Sequence, residues 1–92
     1  MSIGLKIKKI RVDLGLSVKT LSSQIRSSRS YLTLIENGNR PLPKRLVEKV
    51  AKALKLPKKT VYEWYLEQEF KKMGFTDKRS LQLIQKFLRE SV

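Results

Sequence analysis

Apolar residues in the first part of this 92-residue chain recur at helical spacing. Ile3, Ile7, Ile10 and Leu14 stand three and four apart, the repeat that lines one face of a helix, and Lys6, Lys8 and Lys9 fall off that line. Ser2 is positioned to cap this first helix, and Gly15 to close it in a left-handed conformation with Leu16 behind it. Ser17 caps a short second helix, Val18 to Ile25, in which Leu21 and Ile25 share a face. No Glu or Gln stands three residues after Ser17, so the reciprocal capping box is missing. Arg26, Ser27 and Ser28 interrupt the pattern, and Ser28 is positioned to cap a third helix from Arg29. At about 100° per residue, Tyr31, Leu32 and Ile35 lie on one side of it, while Arg29, Ser30, Thr33, Leu34 and Asn37 spread over roughly 140° on the other. A serine-rich linker would not sort its residues in this way. Residues 22–40 read as helix, turn, helix, stopped by Gly38.

The stretch 37–43, NGNRPLP, has the chemistry of a loop. Pro43 suits the first turn of a fourth helix with Leu46, Val50, Ala53 and Leu54 as its buried stripe and Lys44, Arg45, Lys49 and Lys52 around the outside. Pro57 ends that helix, because the residue before a proline disfavours the helical region. A fifth helix is predicted from about Lys59 to Gly74. Thr76 is positioned to cap a sixth, Asp77 to Glu90, with Leu81, Ile84 and Leu88 in register and Leu83 and Phe87 beside them. The architecture predicted is all-α.

Charge changes the picture most. Twenty-one Lys and Arg stand against eight Asp and Glu, a net of +13. Residues 1–60 hold +12 of it, and residues 61–92 only +1. Such a field suits a polyanion, with nucleic acid the first candidate. A basic surface kept only for solubility is the plainer alternative, at the cost of self-repulsion. An anionic membrane is a weaker one, since no basic helix carries a broad aromatic face. The chain contains no Cys and no His, so disulfides and thiolate chemistry are excluded and a transition-metal site would need carboxylates alone. The N-terminus has no apolar stretch of signal-peptide length, and no apolar run spans a bilayer, so a cytoplasmic protein is the simplest expectation. General acid–base work usually needs His or a perturbed carboxylate pair. The acids here mostly sit at surface positions among lysines, and the four glycines form no phosphate-cradling loop, so no enzyme and no cofactor is expected.

The helix-turn-helix has a purpose that fits the charge. Two short helices at a steep angle let the second lie in the DNA major groove while the first braces it across the backbone. The reading helix needs side chains that reach base edges and an apolar back. Helix 29–37 has both, since Arg bonds guanine bidentately and Ser or Thr can bond several base edges. Asn37, Asn39 and Arg40 follow in a loop suited to phosphate contacts.

Three stretches, IR…GLS…L (10–21), SRSYLTLIENG (28–38) and LVEKVAKAL (46–54), resemble the lambda-repressor-like (XRE, or Cro/repressor-type) helix-turn-helix family over about residues 3–66. The resemblance implies a five-helix domain, here spanning 1–66, with an additional C-terminal helical extension, 67–92. It implies a transcriptional regulator, commonly a dimer on a palindromic operator. The residues it marks for DNA contact are Lys19, Arg29, Ser30, Tyr31, Thr33, Leu34, Asn39, Arg40, Lys44 and Arg45. It also implies a structural ion pair between Arg11 and Glu36, which suits a carboxylate at the border of an apolar face.

The chain departs from the family pattern at five positions. Val18 stands where a Gln often helps orient the first reading residue, and Ser22 where Ala is usual. Arg26 replaces the turn glycine and Ser27 the usual turn aliphatic. Leu34 occupies a commonly polar outer position, where it either meets a thymine methyl group or belongs to the core of a slightly rotated helix. Lys44, Arg45, Lys49 and Lys52 are either a phosphate-binding flank or solvated. The aromatic stretch 62–70 reads as packing surface, with Trp64, Tyr65 and Phe70 covering the sixth helix or a second subunit. The expected partners are double-stranded DNA and a second copy of the chain. An antitoxin that binds a toxin through residues 61–92 and represses its own operon is the nearer rival. A structural or RNA-binding protein is the more distant one, because the basic half has Tyr31 as its one aromatic residue, too few for stacking single-stranded bases.

Overall fold

Serine caps start the first three helices. Ser2 accepts from the Leu5 amide at 3.3 Å ahead of α1 (Ile3–Asp13). Ser17 accepts from Thr20 at 3.0 Å ahead of α2 (Val18–Gln24), and Ser28 from Tyr31 at 3.0 Å ahead of α3 (Arg29–Glu36). Each cap satisfies an amide that the first turn leaves without a carbonyl. A 3-10 turn, Lys44–Leu46, leads into α4 (Val47–Ala53), followed by α5 (Lys58–Lys72) and α6 (Lys78–Glu90). The computed structural model describes residues 2–75 and 77–90, without the side chain of Leu88, and all its regular elements are helical. The all-α reading therefore holds.

One core serves the first five helices. Ile7, Leu21, Ile25, Leu32, Ile35, Leu42, Leu46, Val47, Val50, Ala51, Leu54 and Val61 are each at most 1 % exposed. Burying a side chain of this size contributes roughly 1.5–3 kcal/mol relative to leaving it in water. Tyr31, Trp64 and Tyr65 pack on its edge. At Gly4 α1 approaches α3 closely, for a Cβ built there would lie 2.1 Å from the Ile35 carbonyl oxygen. Nothing larger than glycine fits.

Helix ends depart from expectation in places. Leu14 is 41 % exposed, because α1 stops at Asp13 and Leu14 turns outward as its C-cap. The fourth helix does not begin at Pro43, whose extended backbone stands outside it, and the intervening turn is 3-10. Its buried face includes Val47 and Ala51, whereas Ala53 is only half-buried. Arg26 is left-handed (φ 55°), as the missing turn glycine suggests, and so is Lys55 (φ 58°), which no sequence signal announced. Each such residue costs about 1 kcal/mol relative to glycine. The expected cap Thr76 and the side chain of Leu88 lie outside the described residues. Asp77 accepts from the Ser80 amide and hydroxyl, both at 2.8 Å, and α6 starts one residue later than predicted. These bonds hold the exposed Asp77 carboxyl below its ordinary pKa.

Residue 66 falls inside α5, which runs unbroken past it, so the first five helices and the extension share an element. Among the described residues, no helix is long and apolar enough to cross a membrane.

Candidate nucleic-acid interface

Helix α3 is anchored from behind. Leu32 and Ile35 are buried and Tyr31 is half-buried against the core, whereas Arg29, Ser30, Thr33, Leu34 and Asn37 are exposed. Leu34 is 38 % exposed and does not belong to the core. Tyr31 differs from the other marked residues of α3 in being half-buried and packed against the core. Lys19 is exposed on the first turn of α2. Asn39 and Arg40 are exposed in the loop after α3, and Lys44 and Arg45 are exposed on the 3-10 turn. The structure thus leaves nine of the ten marked residues open to a ligand.

The end of α3 is held by a buried ion pair. Arg11 Nε donates to Glu36 Oε2 at 2.8 Å and Nη2 donates to Oε1 at 3.1 Å, a fork that matches guanidinium to carboxylate. Arg11 Nη1 also donates to the Leu16 carbonyl at 2.9 Å, so one side chain ties α1, α3 and the approach to α2. The two residues are 8 % and 3 % exposed. A charge buried to that degree is tolerable only when paired and bonded, as both are. The orientation of α3 is thereby coupled to α1.

Helix α2 accommodates two of its departures from the family pattern. Ser22 is buried, and its hydroxyl donates to the Lys19 carbonyl at 3.0 Å, so Ser replaces Ala without leaving a polar group unsatisfied. Val18 is half-buried and packs against the core.

Sequence reasoning overlooked a clamp on the loop. Gln68 of α5 accepts from the Leu42 amide and donates to the Leu42 carbonyl, both at 2.9 Å. The segment bearing Asn39 and Arg40 is therefore fastened to α5 by a two-bond bracket. A Gln among half-buried aromatics was the available signal, but its target lies twenty-six residues away. On the neighbouring turn, Glu67 accepts from Gln85 of α6 and lies 4.0 Å from Lys6, whose ammonium stands 5.3 Å from the centre of the Trp64 ring. Helix α5 is thus bonded to both α1 and α6.

Comparison with known proteins agrees with this geometry. A family model described as a helix-turn-helix domain matches residues 4–69. A chain of a solved SinR protein/SinI protein complex superposes with a TM-score of 0.58 at 24 % identity, over 98 % of this chain and 99 % of that one. The shared fold therefore includes α6. No curated protein matches the chain. With a family match over most of its length and α3 mounted on the core with one face open, the chain belongs to the lambda-repressor-like helix-turn-helix family, a family of DNA-binding transcription regulators.

Proposed function

We propose that the protein is a sequence-specific repressor that binds a palindromic operator as a homodimer. The observation that carries this reading is α3 itself, with Arg29, Ser30, Thr33 and Leu34 exposed on one face and Leu32 and Ile35 buried on the other. Arg29 and Ser30, at the N-terminal end, read base edges, with Thr33 and Leu34 further along the groove. Lys19, Asn39, Arg40, Lys44 and Arg45 hold phosphates and set register. The test is selection of bound sequences from random duplex DNA. A palindromic motif is expected, and Arg29→Ala should relax preference at one position in each half-site. No enrichment would overturn sequence-specific reading, and enrichment of structured RNA over duplex would favour an RNA-binding role.

Dimerisation is supported by the tail. Leu83 and Phe87 are 62 % and 70 % exposed, and with Leu66, Phe70 and Ile84 they line an apolar groove between α5 and α6. A second copy covering this groove would link two half-sites about one helical turn apart and raise operator affinity through effective concentration. Truncation after Met73 should leave a folded monomer with weak non-specific binding. A truncated form that still sediments as a dimer overturns this interface.

The same groove supports a second reading, an antitoxin that takes a protein partner here. The structural neighbour comes from a complex of two proteins. Co-purification of a small toxin with the full chain, lost in Leu83→Asp/Phe87→Asp, distinguishes this reading from self-association.

A further inference from the structure

The five helices α1 to α5 close in the same way. At each C-terminus a left-handed residue donates three residues back, and the next residue donates five back, the paired bonds of a Schellman motif. In α2, Arg26 donates to Ser23 at 3.1 Å and Ser27 to Ser22 at 2.8 Å; in α4, Lys55 donates to Lys52 at 3.2 Å and Leu56 to Ala51 at 2.8 Å. The left-handed position is glycine in α1, α3 and α5, as its sterics favour. In α2 and α4 it is a cation.

These two exceptions are twenty-nine residues apart in sequence and share one place in the fold. Arg26 and Lys55 line a single surface depression with Gln24, Lys49, Lys52 and Ala53. Four cations border it and no carboxylate does. None of the four forms an ion pair among the described residues, whereas Lys6, Lys58 and Lys72 all face a glutamate. A cation is favoured at a helix C-terminus in its own right. That preference applies equally at α1, α3 and α5, where glycine stands, and it does not explain the convergence. The two helix ends bring roughly half a negative charge each, against four full positive ones. The depression is therefore electropositive, and its cations repel one another until an anion enters.

We propose that this depression is a second phosphate site, which holds nucleic-acid backbone outside the half-site contacted by α3. The inference rests on the DNA-binding reading above. None of Arg29, Ser30, Thr33 and Leu34 lines the depression, so it adds a contact instead of extending the reading helix. The phosphate comes either from flanking DNA of the same duplex or from a second duplex.

The test uses the full chain with Arg26→Gly/Lys55→Gly. Glycine suits both left-handed positions, so the melting temperature should not fall. The control, Lys8→Ala/Lys9→Ala, removes the same charge from exposed positions of α1. Each protein is titrated at several salt concentrations with a duplex limited to the selected operator and with one carrying about one further helical turn, roughly 10 base pairs, on each side. The expected result for the glycine pair on the long duplex is a loss of roughly ten-fold and a salt slope lower by about two units. The short duplex should bind as before, and the control should change the slope far less. If the phosphate comes from a second duplex, the loss appears instead as failure to bring two differently labelled operators together. An unchanged slope on the long duplex together with unchanged pairing overturns the proposal, as does an equal effect in the control or an equal loss on the short duplex. Wild-type protein that binds no duplex at all overturns the DNA-binding reading, and this proposal with it.

Discussion

Residues 3–61 and residues 62–90 differ in how deeply they bury apolar side chains, although both also expose some, such as Val12 in the first and Phe87 in the second. In the first region twelve hydrophobic residues are at most 1 % exposed, while every described residue after Val61 is half-buried or exposed. The charge divides along nearly the same line, with almost all the excess in the first sixty residues. The first region is a finished core whose basic exterior suits a polyanion. The second carries its apolar surface on the outside, in Leu83 and Phe87, and is nearly neutral. A domain that buries its own core does not need such a surface for stability. The contrast teaches that a closed basic core and an open apolar surface occupy separate parts of one small chain, joined through α5, the division on which the proposed DNA contact and self-association rest.

The largest expected effect lies in the first region. Arg11→Ala or Glu36→Ala leaves a buried charge unpaired and should cost about 3–5 kcal/mol in urea unfolding. The double replacement Arg11→Met/Glu36→Leu should recover much of that loss. Two single variants with unaltered midpoints would show that the fork contributes nothing to the core.

A paired substitution tests the contrast directly. Leu32→Ala should destabilise the protein by about 2–5 kcal/mol, through lost burial and the cavity left behind. Phe87→Ala should change the stability of the dilute monomer by no more than about 0.5 kcal/mol, as surface substitutions do. It should nonetheless weaken self-association in sedimentation. Equal costs for the two would mean that the tail belongs to the core and the division is false.

Gly4→Ala sharpens the picture of the first region. In an ordinary helix interior this change is stabilising. Here the new Cβ meets the Ile35 carbonyl and must push α1 from α3, so a loss of about 1–3 kcal/mol is expected in thermal unfolding. A raised melting temperature would mean that the two helices separate without cost.

The smallest effect belongs to the second region. The Asp77 carboxyl is held below its ordinary value of about 3.8 by the hydrogen bonds from Ser80. A carboxylate with a depressed folded-state pKa contributes stability above its unfolded value and loses it as pH falls through the folded one. Acidification from pH 5 to below about 3.8 should therefore fray the start of α6, with faster amide exchange at Ser80. Asp77→Asn should remove this pH dependence while leaving residues 3–61 unaffected. Persistence of the pH dependence in that variant would rule out Asp77 as its source.

Much of the fold was legible because its signals are short. Ser2, Ser17 and Ser28 cap their helices across three residues, and the two sides of α3 follow from a 3.6-residue repeat that needs no knowledge of the rest. The missing turn glycine pointed to a left-handed Arg26 for the same local reason. The marked contact residues came from a resemblance, and within α3 the repeat anticipates both the exposure of Arg29, Ser30, Thr33 and Leu34 and the inward side of Tyr31. Features that depend on distant partners were harder to read. The bracket from Gln68 to Leu42 and the approach of Gly4 to Ile35 join residues more than twenty-five apart. Leu14 fitted the stripe of α1, but the helix ended one residue before it.

By itself the sequence determined an all-helical chain, the sorting of α3 into two faces and the concentration of positive charge in the first sixty residues. These follow from side-chain periodicity, capping chemistry and charge, all properties of neighbours along the chain. Tertiary structure alone decided that Arg11, whose pairing with Glu36 the resemblance implied, also reaches Leu16, that Gln68 fastens the loop bearing Arg40, and that Leu83 and Phe87 remain open beside α5. It alone brought Arg26 and Lys55 to one depression. The physical reason is that a side chain's partners across the fold are set by how whole helices pack, and a repeat along one helix specifies the face it offers without specifying the helix that meets it.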